Sequence, residues 1–262
     1  MMTGSTANAE SHHTTPRLFV TSELREGNEV VASAEHAHYL GSVLRRAPGD
    51  VVRLFNGLDG EWAARIAYTN RGQRSHGASL VVGQQLRRQQ PETGPWLLFA
   101  LLKRDATDLV VRQAVELGAS RLLPVVTERT NAARVNESRL RAKAVEAAEQ
   151  SERLTVPVID PLARLETVLT NWPSERRLFV ALERSWPGTL SIAPVPGLAG
   201  GEMALLVGPE GGFTRSEHEH LRRLPFVTPL SLGPFVLRAD TAAAVGQALL
   251  LGMGWAEYVP ST

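Results

Sequence analysis

Two loops carry the residues best suited to chemistry. The first is Val207-Gly208-Pro209-Glu210-Gly211-Gly212-Phe213-Thr214-Arg215-Ser216-Glu217. Three glycines and a proline within five residues make a tight turn whose backbone a ligand can approach closely. The run lacks the G-x-G-x-x-G spacing of a dinucleotide site and the Gly-Lys-Ser/Thr of a nucleoside-triphosphate loop. It therefore offers backbone groups rather than a charged cradle for phosphates; the plain alternative is an ordinary strand-to-helix turn. Thr214 and Glu217 have the spacing of a capping box, which starts a helix there. The second loop is Leu232-Gly233-Pro234-Phe235-Val236-Leu237-Arg238-Ala239-Asp240-Thr241, with Asp240 or Thr241 placed to cap the next helix. Arg238 is the odd residue, because a helix start favours anions over cations. Two readings stay open for it: a solvated or Asp240-paired arginine, or a guanidinium aimed at RNA or at negative charge developing in a reaction.

Strands and helices must aim these loops. Up to residue 85 the chain reads as β: residues 18–20, 51–55, 62–67 and 79–82 are short branched and aromatic runs between turn clusters at 48–50, 56–60 and 71–73. Such spacing suggests a small barrel, interrupted by one helix over 35–46. Residues 86–95, LRRQQPETGP, are polar with two prolines and mark a domain boundary. The expected organisation is a disordered leader at 1–16, a barrel at 17–88, a linker at 89–95 and a second domain at 96–262. In that second domain, strands at 96–102, 121–127, 178–182, 204–207 and 228–232 alternate with helices at 107–117, stopped by Gly118, and 138–153. This pattern predicts an α/β fold with a mainly parallel sheet covered on both faces. Such sheets bind ligands at the carboxyl ends of their strands, which is where both loops lie. The helix after Thr241 is largely Ala, Val, Gly and Leu, and its small residues permit close approach of another backbone within the fold or across a dimer.

Composition narrows the classes. The chain has 262 residues, 43% hydrophobic and 21% charged, enough for an ordinary globular core. No apolar run reaches the roughly 18 residues of a membrane span, and the N-terminus has no secretory h-region; a soluble cytoplasmic protein is expected. Cysteine is absent, which removes disulfides, thiolate nucleophiles and Cys-ligated metals. His36 and His38, like His218 and His220, stand two apart on helices and point away from one another, so no metal site is expected. Net charge is +1, but residues 17–95 hold ten Arg against eight acidic residues and no Lys. Arginine suits phosphate contacts through its planar fork. Arg17, Arg45 and Arg46 are the candidates for such contacts in the barrel.

Taken together, VGPEGGFTRSE and LGPFVLRADTAAA resemble the SPOUT methyltransferases. Within that class the chain is similar to the RsmE family, which methylates N3 of a uridine in bacterial 16S ribosomal RNA. The resemblance runs through Pro16-Arg17-Leu18-Phe19-Val20, His38-Tyr39-Leu40, Val43-Leu44-Arg45, Pro48-Gly49-Asp50 and Phe55-Asn56-Gly57. It continues at Lys103, Glu116-Leu117-Gly118, Glu128-Arg129 and Glu149-Gln150-Ser151 with Arg153. It implies a PUA-like β-barrel followed by a SPOUT α/β domain with a deep C-terminal trefoil knot, and a homodimer. Composition alone points instead to an unknotted sheet. The resemblance also implies S-adenosylmethionine as cofactor, held by Leu182, Glu183, Gly208, Pro209, Glu210, Gly211, Gly212, Ser231, Leu232, Gly233 and Leu237. Lys103 and Arg129 join the RNA-binding set, and the partner is 16S ribosomal RNA or the small ribosomal subunit. Two positions depart from the family pattern: Phe235 stands for a usual Arg, and Asp240 for a usual Glu.

Methylation of N3 requires the uracil out of its stack, loss of the N3 proton, and stabilisation of charge on O2 and O4. Arg238 is expected to supply that stabilisation, with Asp240 as the second catalytic residue. Asp240, Glu210 and water are the three routes for the proton. Two rivals remain: a SPOUT enzyme acting on another RNA position, and a catalytically weak ribosomal-RNA-binding assembly factor of which Phe235 is the symptom.

Overall fold

Most of the apolar runs form the strands expected of them, in two separate units. The computed structural model describes residues 15–68, 78–131, 134–182, 190–191 and 202–254. The chain divides into Met1–Pro91 with Glu152–Thr155, and Glu92–Ser151 with Val156–Thr262.

The first unit holds β1 (Arg17–Phe19), β2 (Glu29–Val31), α1 (Ala34–His38), β3 (Val51–Phe55), β4 (Glu61–Tyr68) and β5 (Ala78–Arg87). Its five strands lie in the order β1-β3-β4-β5-β2, antiparallel except for β1 on β3. Alternate residues such as Val52, Leu54, Ala64, Ile66, Leu80 and Val82 face one core with Leu18 and Leu40, as the period of two requires. The helix expected over 35–46 is shorter: α1 passes into a π-helical turn at Tyr39–Val43. β2 has no apolar run to mark it in the sequence: only Val30 of Glu29-Val30-Val31 is buried.

A buried charge cluster corrects one expectation. β1 and β3 set Arg17 beside Arg53, and both are only 6% exposed. Neighbouring guanidiniums out of water require an anion, and Glu61, 1% exposed, provides it. Arg17 Nε donates to Glu61 Oε1, and Arg87 Nε to Glu61 Oε2 at 2.8 Å. Arg53 donates to Glu152 Oε1 at 2.7 Å, while Arg87 and Arg17 donate to the carbonyls of Glu152 and Arg153. Arg17 also lies 4.3 Å from the Phe55 ring centre. Arg17 is therefore interior and engaged, and is withdrawn as a phosphate contact. Burial alone would raise the Glu61 carboxyl, but hydrogen bonds from Arg87 and Arg17 outweigh it and hold the group below its ordinary value.

The second unit holds β6 (Trp96–Ala100), α2 (Arg104–Glu116), β7 (Arg121–Val126), α3 (Glu137–Gln150), β8 (Val158–Ile159), β9 (Ala163–Arg164) and α4 (Leu165–Thr170). It continues with β10 (Arg177–Leu182), β11 (Leu190–Ser191), β12 (Met203–Val207), α5 (Arg215–Arg223), β13 (Val227–Ser231) and α6 (Ala239–Gly254). The strands form one parallel sheet in the order β11-β13-β10-β12-β6-β7-β8, with β9 on β7. Both faces are buried. Leu98, Val180 and Leu206 pack with Leu165, Leu169 and Leu221 from α4 and α5. On the other face Leu205 lies against Gly246 of α6, where an added Cβ would come within 2.6 Å of its methyl. Glycine there spares the buried Leu205 side chain from having to shift. The short pieces β8, β9 and β11 and helix α4 were not legible, lacking length or period. Among the described residues no helix is long and apolar enough to cross a membrane.

Candidate active site

In the sheet β10 lies between β12 and β13, and the loops leaving β12 and β13 line a cavity of about 540 Å³. That is within the usual range of about 300–1,000 Å³ for small-molecule sites. Gly208, Pro209, Glu210, Gly211 and Gly212 line it, with Leu182 from β10 and Leu232, Gly233 and Leu237 from the second loop. Ser231 does not; its hydroxyl accepts from the Gly233 N–H at 3.4 Å and so acts on the loop. Glu183 lies outside the described residues.

The glycine loop is held from three sides. The Gly212 N–H donates to Pro209 O at 2.9 Å, closing the turn. Phe213 is 7% exposed and lies edge-on to His218, ring centres 5.8 Å apart. The capping box forms as expected: Thr214 Oγ1 accepts from the Glu217 N–H, and Glu217 Oε2 from the Thr214 N–H. Glu217 Oε1 also accepts from the Glu128 N–H at 2.8 Å, joining this loop to the one after β7. Arg129, expected among the RNA contacts, is exposed and lines the cavity, where its guanidinium donates to Gly211 O at 2.8 Å. In the second loop Gly233 has φ +120 with nothing near an added Cβ, so the requirement there is purely one of backbone conformation.

Arg238 lines the same cavity and is exposed. Its carbonyl accepts from the Ala242 N–H at 2.7 Å, so α6 starts immediately after it. This corrects the expected cap at Asp240 or Thr241. Asp240 instead lies in the first turn, where its charge suits the dipole, and its Oδ1 accepts from the Thr241 N–H at 2.7 Å. Among the described residues Arg238 makes no ion pair or side-chain hydrogen bond. The Asp240-paired reading is thereby removed. Asp240 lies outside the cavity lining, whereas Glu210 is within it and exposed. Val207, Phe213, Phe235 and Val236, all within the two loops read from the sequence, also line the cavity, as does the small residue Ala242 of α6; Ala181 and His218 line it too, and nothing in the sequence marked those two for the site.

The basic candidates outside the cavity divide by environment. Arg45 is exposed and holds a left-handed backbone with φ 53, while Arg46 is half-buried. Lys103 is exposed at the N-cap of α2, beyond the carboxyl end of β6.

Comparison with known proteins defines the class. Residues 90–251 match the family model of an RNA methyltransferase domain, and residues 33–73 that of an RNA methyltransferase PUA domain. A ribosomal RNA small subunit methyltransferase E of Rickettsia conorii is 34% identical over 239 residues, 90% of this chain and 96% of that protein. The Synechocystis protein of the same name is 30% identical, over 88% of this chain and 76% of its own length. Among solved structures, a methyltransferase E of Neisseria gonorrhoeae bound to S-adenosyl methionine superposes with a TM-score of 0.77 at 23% identity, covering 91% of this chain and 98% of that one. A Legionella pneumophila structure described as a methyltransferase in complex with the same cofactor gives 0.78 at 25% identity, covering 91% and 97%. The fold is thus a PUA-like domain with a parallel α/β methyltransferase domain. More narrowly, the chain belongs to the ribosomal RNA small subunit methyltransferase E family.

Proposed function

We propose that this protein transfers a methyl group from S-adenosylmethionine to N3 of a uridine in 16S ribosomal RNA of the small subunit, working as a homodimer. The carrying observation is the cavity at the ends of β10 and β12, with the glycine loop in its lining and beside it the guanidinium of Arg238, which has no partner among the described residues. The residues fit the cofactor. Leu182, Val207, Leu232 and Leu237 offer apolar surface to an adenine, and the 208–212 backbone offers hydrogen-bonding groups without a phosphate cradle. S-adenosylmethionine supplies an electrophilic methyl group on a sulfonium. Arg238 meets the charge that uracil O2 and O4 gain as N3 loses its proton. Glu210, exposed within the lining, is the carboxylate placed to take that proton.

A deep trefoil knot is part of this reading, as the resemblance implies; the strand order, in which β12 lies between β6 and β10, accommodates it. The dimer draws support from α6. One face of that helix is buried in its own fold, through Ala239, Ala242, Ala243 and Leu250. The opposite face still presents Ala244, Val245, Ala248 and Leu249, none of them buried. Arg45, Arg46 and Lys103 serve as phosphate contacts, which fix position rather than sequence. The test is mass spectrometry of nucleosides from unmodified small subunits incubated with the purified protein and cofactor. N3-methyluridine is expected; a methylated ribose, another base or no product overturns the proposal.

A further inference from the structure

Phe235 is the exposed member of the chain's seven phenylalanines, at 80%, and Val236 beside it is 70% exposed. Apolar side chains this open are seldom without a role when they sit together at a ligand site. Both line the cavity that Arg238 lines, within the same loop. The loop is anchored on each side: Leu232 and Gly233 are partly buried, and Ala239 is 8% exposed at the start of α6. The ring is thus presented from a short loop whose two ends are held in the fold.

We infer that Phe235 is a stacking platform for a nucleobase of the RNA substrate, a positioning residue for the proposed reaction; this rests on the reading of the cavity as a uridine-methylating site. A base taken out of its helix loses its stacking neighbours, and an aromatic face returns that interaction whatever the base. The alternative occupant, a second protein chain, fits less well. The cores of protein interfaces are depleted of charged residues, and covering this loop with protein would bury the Arg238 guanidinium, which has no partner among the described residues, together with Phe235. A nucleotide brings the opposite charge to Arg238 and a π-face to Phe235.

The test compares Phe235→Ala, Phe235→Leu, Phe235→Trp and the parent protein. Affinity for small-subunit RNA is read by fluorescence anisotropy across a salt series, and kcat/KM on unmodified small subunits. Phe235→Ala is expected to lose roughly 5- to 150-fold in RNA affinity, the range for loss of one base–aromatic stack. Phe235→Leu should lose nearly as much, and Phe235→Trp should match or exceed the parent. The salt slope should stay unchanged, since no phosphate contact is removed. Cofactor affinity should remain near that of the parent. Because the side chain is exposed, all three variants should melt with the parent protein. The inference is overturned if Phe235→Ala binds RNA like the parent, if Phe235→Leu fully substitutes, or if Phe235→Ala turns a dimer into a monomer. If the parent methylates no uridine yet the aromatic dependence of RNA affinity holds, the proposed function falls and the stacking role stands. If the parent methylates and the variants are indistinguishable from it, only the stacking role falls.

Discussion

Arg238 occupies the last position before α6, exposed at the cavity and without a carboxylate partner among the described residues. A guanidinium left unpaired in the resting site is available to charge that appears only during reaction, which is how a donor raises rate rather than binding. Loss of one such donor costs about 10²–10³ in rate. Arg238→Ala should therefore lose at least that factor in single-turnover methyl transfer and keep its cofactor affinity by titration calorimetry. Arg238→Lys should recover little, because a point charge does not replace a planar fork. Transfer by Arg238→Ala close to the parent rate would move the role elsewhere. At this scale the sequence was informative where chemistry is written in consecutive residues: the capping box and nearly all of the glycine loop stand where expected. It misled where a side chain's partner is distant. Arg17 looks like a surface arginine until Glu61, 44 residues away, is folded onto it.

The strands of the first unit hold a cluster that the strand pattern alone conceals. β1, β3, β4 and β5 bring Arg17, Arg53, Glu61 and Arg87 together. Glu61 is the shared anion. Removing it leaves buried guanidiniums uncompensated, so Glu61→Gln should destabilise the protein by about 3–5 kcal/mol, the usual cost of breaking a buried pair. The pH dependence has a definite sign. Glu61 and Glu152 are both held below their ordinary values: burial opposes ionisation, but hydrogen bonds from Arg87 and Arg17 to Glu61, and from Arg53 to Glu152, prevail. The stability they contribute is present above the ordinary carboxylate range of about 4.3 and is lost as pH falls through the lowered values. Urea midpoints followed by circular dichroism should stay level in the parent above that range and drop below it. Glu61→Gln should start lower and fall less steeply, and an equally steep fall would place the acid-sensitive group elsewhere. In the second unit the longer strands are legible because burial on both faces makes continuous apolar runs, as in Leu97-Leu98-Phe99. Strand order was not legible, since a parallel sheet's neighbours are set by crossovers and not by local pattern.

At the scale of the molecule, the proposed dimer rests on the outer face of α6. Sedimentation velocity should give a dimer over a wide concentration range, twice the 28.5 kDa of one chain. Ala248→Glu sets a charge on that exposed face, so it should sediment as a monomer with an intact fold, because an unpaired charge in an interface is costly. A dimer that persists in Ala248→Glu would place the contact on another surface. The domain division is also a whole-chain property. The polar run at 86–95 contains the change of unit after Pro91, but nothing local announces that Glu152–Thr155 belongs with the first unit. Its assignment depends on arginines far upstream. Synthesis on a ribosome then imposes an order, because the N-terminal strands emerge with Arg17, Arg53 and Arg87 but with only one of their two carboxylates. Glu152 follows only after the sixty residues Glu92–Ser151, roughly 3–12 s later at about 5–20 residues per second. The first unit to leave the ribosome waits, incomplete, for a tetrapeptide encoded in the middle of the second.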